Sequence, residues 1–178
     1  KKADKVLVLY GDVPLIKENT LKELINSCND GISILTTVLD QPFGYGRVKK
    51  DNEGNAISII EEKDATEEER NIKEIFTGVL CSQTDLLKDG LSQINNNNAA
   101  GEFYLTDIVS IMNDKGIKIK THVASNDEVK GANSHAELAE LEGIYRSMKV
   151  QDILDMGITV SDPARLDVRG AVVSGKDC

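Results

Sequence analysis

The sequence predicts an α/β fold with a helix and a short-stranded C-terminal segment appended to it, and three observations carry that expectation. An apolar run, VLVLYGDVPL over positions 6 to 15, takes a strand into a Gly-Asp turn and then into Pro14 and a helix start. Runs rich in Ile, Val and Thr then alternate with amphipathic stretches and helix-start signatures. Past Gly157 the pattern changes to short apolar runs punctuated every five or six residues.

Taken in order, Thr20-Leu21-Lys22-Glu23 has the T-x-x-E capping-box pattern, and Leu21, Leu24 and Ile25 supply the apolar face of a helix. Residues 32–39 read as a second, buried strand. Gly44-Tyr45-Gly46 opens a loop before a short strand over 47–49, and Asp51-Asn52-Glu53-Gly54 turns the chain into 56–60, which predicts a hairpin. A second capping box, Thr66 to Glu69, precedes a strand over 77–81. The tract of four asparagines, 95–98, reads as a solvated loop or helix end. Residues 106–113 predict a helix stopped by Gly116, and 117–124 a further strand. Ser134-His135-Ala136-Glu137 is a third capping box, and Leu138, Leu141, Ile144, Tyr145 and Met148 recur every three to four residues, predicting a long amphipathic helix. The runs at 158–160, 166–170 and 171–173 suggest the first coil of a β-helix beyond a boundary near residue 157.

Composition narrows the functional classes. The 178 residues are 40% hydrophobic, enough for one sizeable core. No stretch of 18 apolar residues and no leader pattern is visible, so the expectation is a cytoplasmic protein without a membrane span. A net charge of -9 disfavours nucleic acid as a partner, and any bound phosphate needs a local cation, for which Mg2+ is the natural choice. Cys28, Cys81 and Cys178 are odd in number and widely spaced, which suits reduced thiols better than disulfides or a zinc site. The start at Lys1-Lys2-Ala3-Asp4, with a strand arriving at once, and the abrupt close at VVSGKDC suggest a segment of a longer protein.

Asp12 is the first candidate for chemistry, because ligands of open α/β sheets gather at the carboxyl ends of strands. On its residues alone, the Gly11-Asp12 pair reads equally as a turn that ends a strand. With only two histidines and no Ser-His-Asp order, no side-chain nucleophile stands out.

The motifs YGDVPL, GYGRV, IIEEKDAT, NNNNAAGEFYLTD and DPARLDVRG occur in that order, and through them nearly the whole chain resembles one family. These are the bifunctional UDP-N-acetylglucosamine pyrophosphorylases and glucosamine-1-phosphate N-acetyltransferases, which supply precursors for bacterial peptidoglycan and lipopolysaccharide. The resemblance implies a Rossmann-like nucleotidyltransferase of the nucleotide-diphospho-sugar transferase type, lacking here its N-terminal strands and their glycine-rich phosphate loop. It divides the chain into a partial uridylyltransferase domain over 1–135, a linker helix over 136–156, and the start of a left-handed β-helix over 157–178. The implied reaction joins UTP and N-acetylglucosamine 1-phosphate into UDP-N-acetylglucosamine and pyrophosphate, a chemistry of alignment and charge neutralisation. Acetyl-CoA and a homotrimer are implied only for the full-length protein, and the segment alone is expected to be inactive.

The resemblance also assigns residues. Asp12 and Asn133 match the family's two protein ligands to Mg2+, both hard oxygen donors. Tyr10 and Gly11 match substrate-contacting neighbours of that aspartate. Gly46 matches a position whose backbone meets the sugar, and Glu61 a carboxylate that accepts from sugar hydroxyls. Tyr104 and Thr106 match residues lining the acetamido and phosphate region, although Thr106 reads equally as the N-cap of the next helix. Phe76 departs from the pattern: it stands in Glu74-Ile75-Phe76-Thr77-Gly78 where the family has a sugar-binding asparagine, so Phe76→Asn is expected to lower the sugar-phosphate KM. Two other readings stay open: a single-activity hexose-1-phosphate nucleotidylyltransferase, and a noncatalytic nucleotidyltransferase-like binding subunit.

Overall fold

The structure, a computed structural model, describes residues 3–29 and 31–175. The last three positions of the expected β-helix segment, Cys178 among them, lie outside the described residues. The chain forms two compact units, one of Lys1–Gly11 with Ile16–Val129 and one of Asp12–Leu15 with Lys130–Cys178.

The larger unit is built on a six-stranded sheet. Its strands are β1 (Lys5–Val8), β2 (Ile32–Val38), β3 (Arg47–Lys50), β4 (Ala56–Ile60), β5 (Glu74–Gln83) and β6 (Ile119–Val123), in the spatial order β1-β5-β2-β6-β4-β3. Among the described residues only β2 and β6 pair in parallel; β5 lies antiparallel between β1 and β2, and β4 antiparallel beside β6. The sheet is therefore mixed, and β1, β2 and β6 share one direction. The predicted hairpin forms, with Arg47 opposite Ile60 and Val48 opposite Ile59. Arg47 also reaches Ile75 of β5, which curls the sheet edge toward its own middle.

Two apolar layers cover the sheet, as the period-2 alternation of buried strands requires. Ile32, Ile34, Phe76 and Leu80 face a cluster completed by Ile108 and Met112 of α4 (Asp107–Asp114) and Leu87 of α3 (Thr84–Leu91). Leu35, Val79 and Cys81 face the other side, against Leu24 of α1 (Glu18–Ser27) and Cys28. Each fully buried Leu or Ile in these layers contributes about 1.5–3 kcal/mol. Cys28 and Cys81 are free, buried thiols, and burial together with a hydrogen bond to Cys28 pushes the Cys81 thiol up to about 12.

Strand β5 carries a kink. Ile34 pairs with Leu80 and Thr36 with Phe76, so Thr77-Gly78-Val79 bulges out of register, with Gly78 at φ +86°. The two extra residues preserve the alternation of faces, so Phe76 and Leu80 stay in one layer and Val79 and Cys81 in the other.

One local expectation in the larger unit needs correction. The helix over 18–27 starts at Glu18 after Lys17, without a side-chain cap, so Thr20 lies inside its first turn. Its hydroxyl donates instead to Glu128 Oε2 of α5 (Asn126–Val129) at 2.6 Å, because a buried carboxylate is a stronger acceptor than solvent offers. By contrast, Thr66 and Glu69 form the full predicted box at the head of α2 (Glu67–Arg70).

In the smaller unit, α6 (His135–Asp155) is capped by Ser134, whose Oγ accepts from the Glu137 N–H at 3.2 Å. The Glu137 carboxylate takes the Asn133 N–H at 2.7 Å, one residue earlier than a standard box. The helix stops at Met156, with Gly157 at φ +83°. The short strands expected over 158–173 do not form among the described residues; the segment is irregular apart from a 3-10 turn at Pro163–Arg165, capped by Asp162. The physical reason is that a strand needs a neighbour for its ladder hydrogen bonds, and among the described residues these runs pair with none. Among the described residues, no helix is long and apolar enough to cross a membrane.

Candidate active site

At the end of β4, four of the sequence-derived candidates converge. Glu61 follows the last residue of the strand, and the Thr106 hydroxyl donates to its Oε1 at 2.8 Å. That bond gives Thr106 a different task from the alternative N-cap reading: it occupies the cap position of α4 but makes no capping bond, because its hydroxyl is committed to Glu61. Gly46 lies against the same carboxylate, where a Cβ would sit 2.8 Å from Ile59 Cγ2 and 3.4 Å from Glu61 Oε1. Any larger residue there would push on β4 or on the carboxylate.

Glu61 and Tyr104 line an open cavity of about 260 Å³ together with Asp64, Asn97, Asn98 and Asp107. Burial, then Asp64 and neighbouring carboxylates including Glu61, raise the Tyr104 phenol above its usual range, so it stays protonated and can donate. Asp107 is also raised, first by burial and then by Glu61 and Asp64. Negative charge thus concentrates around Glu61, which suits acceptance from neutral hydroxyls. The asparagine tract contributes more than solvation: Asn98 Oδ1 accepts from the Ala100 and Glu102 N–H groups, and Asp64 Oδ1 accepts from the Ala99 N–H at 2.8 Å. These bonds hold the tract where Asn97 and Asn98 line the cavity.

Tyr10, after β1, meets the β5 bulge. A Cβ on Gly78 would fall 2.1 Å from Tyr10 Cε2, so the ring rests directly on bare backbone. The ring stays half exposed beside Gly11, itself exposed. Sequence reasoning passed over Gly78, although a glycine inside a strand pattern is a signal of close approach.

In the smaller unit, Asp12 and the segment leading to Asn133 run side by side. The Ala132 N–H donates to the Asp12 carbonyl at 3.1 Å. A Cβ on Gly131 would lie 3.4 Å from Asp12 Oδ2, so the carboxylate rests over a residue with no side chain. Asp12 and Asn133 are both exposed, and Asn133 spends its N–H on Glu137. The Asp12 carboxylate and the Asn133 amide stand on adjoining segments, and both offer hard oxygens. Among the described residues no group of three or more His, Cys, Asp or Glu could hold a metal ion.

Phe76 lies in the core rather than at a polar surface. It is 7% exposed within the apolar layer, and its N–H donates to the Gly46 carbonyl at 2.9 Å.

Solved structures define the class of fold. A Bacillus anthracis protein assigned as a glucose-1-phosphate thymidylyltransferase aligns with a TM-score of 0.59 at 19% identity, over 79% of this chain and 54% of its own. The CMP:2-keto-3-deoxy-manno-octonic acid synthetase aligns at 0.56 and 17%, over 83% and 64%. The fold is that of the nucleotide-sugar transferases. In sequence, the chain is 46% identical over 178 residues to the bifunctional protein GlmU of Francisella philomiragia and 47% identical over 173 residues to that of Paraburkholderia phymatum. The GlmU of Bordetella petrii is 44% identical over 177 residues. The resemblance read from the motifs therefore extends over 96–99% of the chain, which spans about two fifths of the length of these relatives. No protein-family model matches the chain.

Proposed function

We propose that this chain carries the sugar-phosphate half of a nucleotidyltransferase that transfers UMP from UTP to N-acetylglucosamine 1-phosphate, releasing pyrophosphate. The observation that carries the reading is the convergence of Gly46, Glu61 and Thr106 at the end of β4, beside a cavity that Tyr104 also lines. Glu61 accepts from sugar hydroxyls, Thr106 fixes the rotamer of Glu61, and Gly46 offers backbone at close range. Tyr10 and Gly11 contact the nucleotide-sugar substrates ahead of Asp12.

Asp12 and Asn133 would hold Mg2+, and the approach of the Asp12 carboxylate over Gly131 supports that fit. Two protein oxygens suit a cation that keeps most of its positions for water and substrate phosphates. When bound, the ion supplies charge neutralisation to the converging phosphates. The protein itself aligns the substrates' own nucleophile and leaving group, so no side-chain nucleophile is required.

In the longer protein, α6 serves as a linker helix, and the segment from residue 157 begins a left-handed β-helix for acetyl transfer from acetyl-CoA to glucosamine 1-phosphate and for homotrimer assembly. The identity to bifunctional GlmU relatives supports this part of the reading. The test is Mg2+-dependent release of pyrophosphate from UTP by the protein as its gene encodes it. The reading expects N-acetylglucosamine 1-phosphate to be strongly preferred over glucose 1-phosphate; equal use of both, or no release with either, refutes it.

A further inference from the structure

A second carboxylate stands next to Glu61, and its environment is different. Glu62 Oε2 pairs with Arg47 Nη2 at 2.6 Å and accepts from the Gly44 N–H at 3.1 Å, while its Oε1 lies 3.3 Å from Arg70 Nε. Arg47 is 2% exposed, and its Nη1 donates to the Tyr45 carbonyl. Its Nε is buried without a hydrogen-bond partner. The Gly46 carbonyl accepts from the Phe76 N–H at 2.9 Å. Three consecutive loop residues, Gly44, Tyr45 and Gly46, are thus each held by their backbone, the first two through the Arg47–Glu62 pair.

Stability alone does not account for this arrangement. A buried ion pair with a stranded N–H is weak evidence of stabilisation, and an apolar side chain of similar volume would fill the same space. What the pair does achieve is geometric. It ties the loop that presents Gly46 to the residue next to Glu61, so the bare backbone and the carboxylate keep a fixed separation.

We infer that Arg47 and Glu62 are positioning residues for the sugar-phosphate site, acting through the Gly44-Tyr45-Gly46 loop and touching no substrate themselves. The inference rests on the reading of Gly46 and Glu61 as sugar-binding groups. It divides the adjacent acids between two tasks, with Glu61 facing the sugar and Glu62 facing the loop.

The experiment measures KM for each substrate and kcat in the protein as its gene encodes it, for Glu61→Gln, Glu62→Gln, Arg47→Met and Arg70→Gln. A misplaced binding group changes binding by about tenfold, so Glu62→Gln and Arg47→Met are expected to raise the sugar-phosphate KM by about that factor. UTP KM is expected to stay within about twofold, a split that general loosening of the fold would not give. Arg70→Gln removes only the outer leg and is expected to raise the same KM by about two- to threefold. Arg70 is about half exposed, so this variant keeps the test available if the buried ones do not fold. If Glu61→Gln raises the sugar-phosphate KM while the variants at 47, 62 and 70 leave it unchanged or shift both KM values together, the positioning role is overturned and the site survives. If Glu61→Gln itself leaves that KM unchanged, the sugar-site reading fails and this inference falls with it.

Discussion

Thr106 Oγ1 donates to Glu61 Oε1 at 2.8 Å, joining two residues 45 positions apart in the chain. Thr106 is nearly buried, so the bond is shielded from competing water and settles which oxygen of Glu61 remains available to a ligand. Thr106→Val keeps the shape and removes the donor. It is expected to raise the sugar-phosphate KM about three- to tenfold, the size of one hydrogen bond, with Thr106→Ser close to wild type. Steady-state kinetics with both variants checks this.

Gly46 and Gly78 exclude a side chain for different reasons. At Gly46 a methyl group meets Ile59 Cγ2 at 2.8 Å inside the hairpin, so Gly46→Ala is expected to cost about 1–3 kcal/mol by overpacking. At Gly78 the obstacle is the Tyr10 ring, which is half exposed and can turn away, so the stability loss comes mainly from the left-handed backbone and is about 1–2 kcal/mol. Turning Tyr10 away should nonetheless weaken substrate binding. Denaturant unfolding paired with ligand titration separates the two effects.

Phe76→Asn looked from the sequence like the repair of a lost sugar contact. The structure changes the expected outcome, because the ring is packed among Ile34, Val48, Ile59 and Leu80. Replacing it with an amide opens a cavity and buries a polar group, at about 3 kcal/mol or more. A thermal midpoint lower by roughly 6–12 °C is expected, read by calorimetry.

Glu128 gives a pH signature. Burial raises its carboxyl, but the Thr20 hydroxyl and Lys17 outweigh that and hold it below its ordinary value near 4.5. A depressed folded-state pKa contributes stability above the unfolded value, and that contribution is lost as pH falls through the folded one. Glu128→Gln should therefore destabilise by about 1 kcal/mol at pH 7 and by progressively less below pH of about 4.5. Urea midpoints measured across that range check the sign.

Much of the fold was legible because strand and helix periods are set by burial: the strands over 32–38 and 56–60, the box at Thr66 and the long helix after Ser134 all stand where the pattern placed them. What failed was information carried by distant partners. Thr20 carries a cap motif yet bonds Glu128, 108 residues away. The runs past Gly157 have β character but, among the described residues, no strand to pair with. Of the site, the convergence on Glu61 follows residues that the motifs singled out, whereas Arg47 and Glu62 gave no signal beyond ordinary charge in a hairpin.

Under the proposed function, Asp12 and Asn133 share one divalent cation. Mn2+, read by electron paramagnetic resonance in the presence of UDP-N-acetylglucosamine, reports on it directly. The account predicts that Asp12→Asn and Asn133→Ala each weaken Mn2+ binding by about tenfold or more, while Glu61→Gln does not. Unchanged Mn2+ affinity in both ligand variants would contradict it.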